Sequence, residues 1–218
     1  MARGKFITFE GGEGAGKSTQ VRLLAEHLTG LGLDVVVTRE PGGSPFAEAI
    51  RTVVLDAATP PHAELSEALL FNAARADHLE RTIRPALEKG RWVICDRFMD
   101  STRVYQGLVG GLDQEVLDAL DRIVVQPTVP DLTVLIDLDP VVGLARVEQR
   151  RLGGALAPVD RYESRSPDFH ERLREGFLRI ARDEPQRCVI VDGFQSVDAL
   201  AREIRGHADA RLPRGRTG

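Results

Sequence analysis

One octapeptide constrains this chain more than any other part of it. Gly11-Gly12-Glu13-Gly14-Ala15-Gly16-Lys17-Ser18 matches the pattern G-x-x-x-x-G-K-[ST] in full. The stretch before it, Lys5 to Glu10, is short, apolar and suited to a buried strand. The stretch after it, Gly16 to Thr29, carries Leu23, Leu24, Ala25 and Leu28 on one helical face. Strand, glycine-rich loop and helix, in that order, are what phosphate binding requires. Glycines let the backbone wrap close to phosphate oxygens, and the helix start adds its positive end. Lys17 brings a compact charge to the β- and γ-phosphates, Ser18 a hydroxyl for Mg²⁺, and Thr19 lies beside the motif. The competing reading is a glycine-rich turn with a chance lysine. The flanking elements weigh against it, and so does lysine usage. The chain has only three lysines, Lys5, Lys17 and Lys89, among many arginines. Genome composition accounts for the arginine excess, and it leaves the placement of Lys17 unexplained.

The rest of the chain alternates in the same way. Further strands are predicted over Asp34–Arg39, Arg91–Asp96, Leu132–Leu138 and Arg187–Asp192, each a continuous apolar run of the kind covered on both faces. Helices are predicted over Glu64–Glu88, with Pro85 bending or breaking it late. Others span Asp113–Val124, Pro140–Arg151, Pro167–Arg182 and Val197–Ala208. The pattern is α/β: a P-loop NTPase fold with a five-stranded parallel sheet, helices on both faces and an Arg-rich lid. At 218 residues it suits one domain, 1–210, with the lid at about 150–166 and a frayed tail over 211–218. Glu10, Asp96 and Asp192 close three strands. Ligands gather beyond the carboxyl ends of parallel strands, so the site belongs on that edge.

Composition excludes some classes. A net charge of -4 gives no basic footprint for nucleic acid. No segment is long and apolar enough to span a bilayer, and the N-terminus reads as no secretory signal. The two cysteines, Cys95 and Cys188, sit inside apolar strands and have no metal-site spacing. They read as small core residues in a reducing, cytoplasmic setting.

The chain has no Asn-Lys-x-Asp guanine-binding element, and motor and helicase cores are generally longer. Small kinases remain, in which a second substrate faces the γ-phosphate. Three further segments bear on that substrate: Thr38-Arg39-Glu40-Pro41-Gly42-Gly43, Leu70-Phe71-Asn72-Ala73-Ala74-Arg75, and Asp96-Arg97-Phe98 followed by Ser101-Thr102 and Tyr105-Gln106-Gly107. Together they resemble the signatures of bacterial thymidylate (dTMP) kinases, and the similarity runs from about Lys5 to about Ala208. The resemblance implies transfer of a phosphoryl group from ATP to dTMP with Mg²⁺, in a homodimer. It implies that Phe71 stacks thymine and that Arg75 bonds its O4. Tyr105 then crowds out a ribose 2'-hydroxyl, and Glu13 accepts from the sugar 3'-hydroxyl. Arg39, Pro41, Ser101 and Thr102 join the substrate site, and the glycines after Pro41 admit the monophosphate.

Bland readings stand beside these. Arg39–Gly43 can be a turn and Phe71 a core residue, although Arg75 lies one turn away on the same face. Asp96 can hold a magnesium-bound water at a strand end, and Arg97 can grip a phosphate bidentately. Their alternative is a surface ion pair. Arg51 is either a phosphate contact or a solvated helix residue. The phosphate loop itself contains no arginine, so charge for the moving phosphoryl group must come from elsewhere. Arg146, Arg150, Arg151 and Arg161 are candidates, and Asp160-Arg161-Tyr162-Glu163 resembles the element that follows a basic lid in that family. A solvated arginine-rich helix end is the alternative. Asp192–Ser196 resembles an adenine-packing loop, or is a turn capped by Ser196.

Overall fold

The computed structural model describes residues 3–153 and 161–212. Among these, β1 (Phe6–Glu10), β2 (Val35–Arg39), β3 (Trp92–Asp96), β4 (Leu132–Asp137) and β5 (Cys188–Asp192) form one parallel sheet in the order β2-β3-β1-β4-β5. The predicted strands are all found, to within a residue at either end. β1 pairs with β3 from Phe6–Val93 to Phe9–Asp96, and with β4 from Ile7–Leu132 to Glu10–Leu135. It therefore lies where the strand order reverses, and the loop that follows it opens at the carboxyl edge, where such sheets bind ligands.

Alternation along the strands feeds two helical layers. Ile7, Phe9, Ile94, Val134 and Val191 face α1 (Lys17–Gly30) and α9 (Val197–Arg211), where Leu24, Leu28, Leu200 and Ile204 complete that core. Each fully buried leucine there contributes roughly 1.5–3 kcal/mol by leaving water. Phe6, Val93 and Cys95 point the other way, onto Leu79, Ile83 and Leu87. Leu135 and Cys188 do the same against Leu173 and Phe177 of α8 (Pro167–Asp183). Both cysteines are buried and outside any disulfide, and burial pushes the Cys188 thiol up to about 12. β2 departs from the expected two-sided cover. It forms a sheet edge and Val37 is 52% exposed. A valine run satisfies strand preference without needing a second cover.

Two helical segments lie outside the sequence pattern. α2 (Pro45–Leu55) starts on Ser44, whose hydroxyl accepts from the Ala47 amide. α5 (Met99–Thr102) runs on into a π-helical stretch, Arg103–Val109. α3 (Glu64–His78) continues through π-helical Leu79–Ile83 into α4 (Arg84–Glu88), so Pro85 does not break the helix. The widened turn before it relieves the clash of the proline ring with the preceding turn. α6 (Gln114–Leu120) likewise ends in a π-helical turn, Asp121–Val125, and α7 (Pro140–Leu152) covers the predicted helix before the lid. Residues 154–160 of the expected lid and 213–218 of the expected tail lie outside the described residues. The tail was expected from Arg211, but α9 extends through that residue.

Candidate active site

The loop after β1 is shaped by its glycines. Gly14 and Gly16 adopt φ values of 67° and 94°, the left-handed region that L side chains avoid. A Cβ at Gly14 would stand 2.0 Å from the Gly143 carbonyl oxygen of α7, so the loop and that helix touch backbone to backbone. Gly16 caps α1 without a side chain, which leaves the first-turn amides for an anion. Lys17 is buried, and its Nζ donates to the carbonyls of Gly11 (3.0 Å) and Gly12 (2.8 Å). Burial, and next the Arg97 charge, push its ammonium below the usual lysine range.

At the first turn of α1, Ser18 Oγ donates to Asp96 Oδ2 at 2.8 Å, at the end of β3. The other carboxylate oxygen, Oδ1, is buried and has no partner among the described residues. A hydroxyl beside a carboxylate with a spare buried lone pair fits a hard divalent cation.

Arg97 follows with φ 67°, the one positive value at a non-glycine among the described residues. Such a conformation costs on the order of 1–3 kcal/mol and persists only where neighbours enforce it. Two groups on β1 do so. The Arg97 amide donates to Phe9 O at 2.9 Å. Glu10 accepts from the amides of Phe98 (2.8 Å) and Ser101 (3.3 Å), and from Ser101 Oγ (2.7 Å). The turn directs the Arg97 guanidinium across the site to Glu13 Oε1 at 2.6 Å, where the Tyr105 hydroxyl also donates at 3.3 Å. Burial opposes ionisation of Glu13, but Arg97 and Lys17 outweigh it and hold its carboxyl below the usual range. Burial, joined by the Asp100 charge, pushes Glu10 up to about 7.

The opposite wall comes from α3 and the loop after β2. Phe71 is half-buried and Arg75 almost wholly so. Arg75 donates to Glu40 Oε2 (2.7 Å), Phe98 O (3.1 Å), Thr102 Oγ1 (3.0 Å) and Asn72 Oδ1 (3.4 Å). Arg39 pairs with Glu48 at 3.1 Å, and Arg51 donates to Pro41 O at 2.7 Å. The glycines after Pro41 lie close to protein side chains: a Cβ at Gly42 would meet Glu48 Oε1 at 2.4 Å, and one at Gly43 would meet His78 Nε2 at 2.2 Å.

The candidate lid arginines separate into two groups. Arg150, at the end of α7, lines the cavity and has no carboxylate partner among the described residues. Arg151 pairs with Glu148 (2.8 Å) and Glu163 (2.7 Å). Arg161 pairs with buried Glu67 at 2.7 Å, and Arg146 reaches Gly193 O at 3.4 Å. These three are not in the cavity wall. Glu67 also accepts from the Tyr162 hydroxyl and from Gln106, and so ties the segment after the lid to α3. Ser196 caps α9 by accepting from the Ala199 amide at 3.3 Å.

One cavity of about 420 Å³ gathers most of the expected residues. Glu13 through Thr19, Arg39, Pro41, Arg51, Phe71, Arg75, Asp96, Arg97, Ser101, Thr102, Tyr105 and Arg150 all line it, while Gly11 and Gly12 stand behind Lys17. Glu40, Gln106, Tyr162 and Glu163 line it too, and no role for any of them beyond membership of a motif could be read from the sequence.

A parallel sheet with a glycine-rich phosphate loop at its reversal point, facing a basic pocket for a second ligand, defines a P-loop phosphotransferase. Residues 9–204 match the family model described as thymidylate kinase. The chain is 53% identical over 212 residues to the thymidylate kinase of Caulobacter vibrioides, covering 97% of this chain and 99% of that protein. It is 51% identical over 202 residues to that of Nitrobacter winogradskyi, covering 93% and 86%. The fold is similar to the crystal structure of thymidylate kinase from Ehrlichia chaffeensis, with a TM-score of 0.74 and 34% identity over 94% of this chain and 98% of that one. The chain belongs to the thymidylate kinase family and is a nucleoside monophosphate kinase.

Proposed function

We propose that this chain transfers the γ-phosphoryl group of ATP to dTMP, giving ADP and dTDP. One observation carries the reading: a single cavity sets Lys17 and the phosphate loop opposite Phe71, Arg75 and Arg97. Lys17 and the loop amides hold the β- and γ-phosphates. The planar fork of Arg97 grips the acceptor phosphate, which frees Glu13 to accept from the sugar 3'-hydroxyl. Tyr105 packs edge-on against Tyr162 with centroids 5.1 Å apart, so its ring cannot yield to a ribose 2'-hydroxyl. Phe71 stacks the base. Arg75 offers O4 the one N–H that its protein contacts leave over, because four of its five donors are engaged.

Arg150 is the best-placed lid arginine to meet the charge on the moving phosphoryl group. An arginine in that role is worth about 10³–10⁵ in rate, roughly 4–7 kcal/mol of barrier. Ser18 and Asp96 fit Mg²⁺, with Asp96 Oδ1 as the available lone pair. A magnesium ion held there would supply positive charge against the nucleotide's phosphates. The enzyme works in the cytoplasm as a homodimer in this reading. No described helix is long and apolar enough to cross a membrane.

The test is a panel of acceptors, dTMP, dUMP, dCMP, dGMP and AMP, assayed with ATP and Mg²⁺. The fastest turnover is expected on dTMP, and a faster one on any other acceptor refutes the assignment. Phe71→Ala is expected to raise the KM for dTMP about ten-fold, with little change for ATP.

A further inference from the structure

Behind the acceptor wall lies a buried polar chain with no part in the transfer itself. Arg75, Glu40 and His78 are 2%, 6% and 0% exposed, and they run inward from the cavity. Glu40 Oε2 accepts from Arg75 Nε at 2.7 Å, and its Oε1 meets His78 Nδ1 at 3.1 Å. His78 Nε2 meets Thr38 Oγ1 at 2.7 Å. Every partner is satisfied when Nδ1–H donates to Glu40 and the Thr38 hydroxyl donates to Nε2. The chain joins the end of β2, the residue just past it, and two positions of α3 one turn apart.

A carboxylate held by donors on both oxygens cannot swing, and it fixes the plane of the guanidinium bonded to it. The Nη2 hydrogens of Arg75 are taken by Phe98 O and Thr102 Oγ1, which leaves a hydrogen on Nη1 for a ligand. A donor fixed in one place favours a carbonyl oxygen and disfavours an amino group, the difference between thymine and cytosine at the 4-position. The local backbone makes room for this arrangement. Gly43 has φ 83°, and a Cβ there would stand 2.2 Å from His78 Nε2 and 2.5 Å from Thr38 Oγ1. Any side chain at Gly43 displaces the imidazole.

From this geometry we infer that Glu40 and His78 are positioning residues that set acceptor-base choice by holding Arg75, an inference that rests on the dTMP reading of the cavity. The test compares His78→Leu, His78→Asn and Glu40→Gln with the wild-type protein, each first checked for a cooperative thermal transition. Leucine removes the donor to Glu40, whereas the asparagine amide can replace Nδ1. Glutamine at position 40 can accept from only one of its two partners.

His78→Leu and Glu40→Gln are expected to raise the KM for dTMP about ten- to a hundred-fold and to lower the dTMP-over-dCMP preference by a similar factor. The KM for ATP should stay within about two-fold, since an effect confined to one subsite leaves the other's affinity in place. His78→Asn should recover most of the loss. If His78→Leu does not fold, Glu40→Gln, which keeps the shape, carries the test. Folded variants with unchanged dTMP KM and unchanged preference overturn the inference. So does a parallel rise in the KM for ATP, which marks a merely structural role. A wild-type preference for another nucleotide overturns the dTMP reading alone, and the KM for that nucleotide then replaces dTMP in the same comparison.

Discussion

Lys17 is held in place by its own loop. Its ammonium rests on two carbonyls, so nucleotide binding needs little reorganisation of the charge. Lys17→Ala is expected to lower kcat by at least about 10²-fold while the thermal transition stays cooperative. Steady-state rates with a melting curve check this, and a variant of near-normal rate contradicts the role. Glu10 sets a pH dependence of stability. Its carboxyl lies near 4.5 in the unfolded chain and is pushed up to about 7 by burial and then by Asp100. The folded state therefore favours the protonated form. That contribution is complete below about pH 4.5 and is lost as pH rises through 7, a change on the order of 3 kcal/mol. Glu10→Gln should flatten the unfolding free energy between those two pH values, as read from urea titrations at several pH values. An unaltered slope would show that another group is responsible. At this scale the sequence was legible where a motif specifies placement: Lys17, Ser18 and Asp96 line one cavity, as their spacing and strand-end positions led one to expect. Glu40 and His78 were not legible as a pair. They lie 38 positions apart in the chain and meet only once α3 docks on the loop after β2.

Helix α2 shows what periodicity alone overlooks. Its start carries a serine cap and a proline at the first turn, a recognisable signal, but its apolar face is short and follows a loop rich in glycine, so periodicity delimits no helix there. Ser44 both caps α2 through the Ala47 amide and donates to Asp77 Oδ2 of α3 at 2.6 Å. Ser44→Ala is expected to cost about 1–2 kcal/mol, measurable by urea denaturation. A loss below a few tenths would mean that water replaces both bonds. The wide turns in α3 and α6 are equally silent in sequence, since the same residues suit an ordinary helix. The contact of α7 with the phosphate loop is more consequential. A Cβ at Gly143 would stand 2.2 Å from the Glu13 carbonyl oxygen, so Gly143→Ala must move either the loop or the helix that carries Arg150. An ångström of misplacement can cost about 10²-fold in rate. A loss of that order in kcat/KM for ATP is expected, with a native circular dichroism spectrum. Unchanged kinetics would show that the loop has slack.

For the molecule as a whole, strand and helix alternation was enough to specify the sheet, because five apolar runs separated by helices leave few parallel arrangements. The phosphate loop then located the site at one edge. The charge balance of the pocket was not readable, because it depends on which cations find carboxylates after folding. Arg161 found Glu67 outside the cavity and Arg151 is held by Glu163 at its rim, while Arg97 found Glu13 within it. That last pair bears on how the pocket treats small anions. Glu13 is tethered at 2.6 Å and competes for Arg97 at an effective concentration of about millimolar or above. A free inorganic phosphate must displace it with one point of attachment, whereas a nucleotide adds its base and sugar. Phosphate is therefore expected to inhibit weakly against dTMP, and Glu13→Gln to make it a stronger competitor. An inhibition constant for phosphate that is the same in both proteins would refute this. The resident carboxylate acts as a threshold, admitting a lone oxyanion poorly and a whole substrate well.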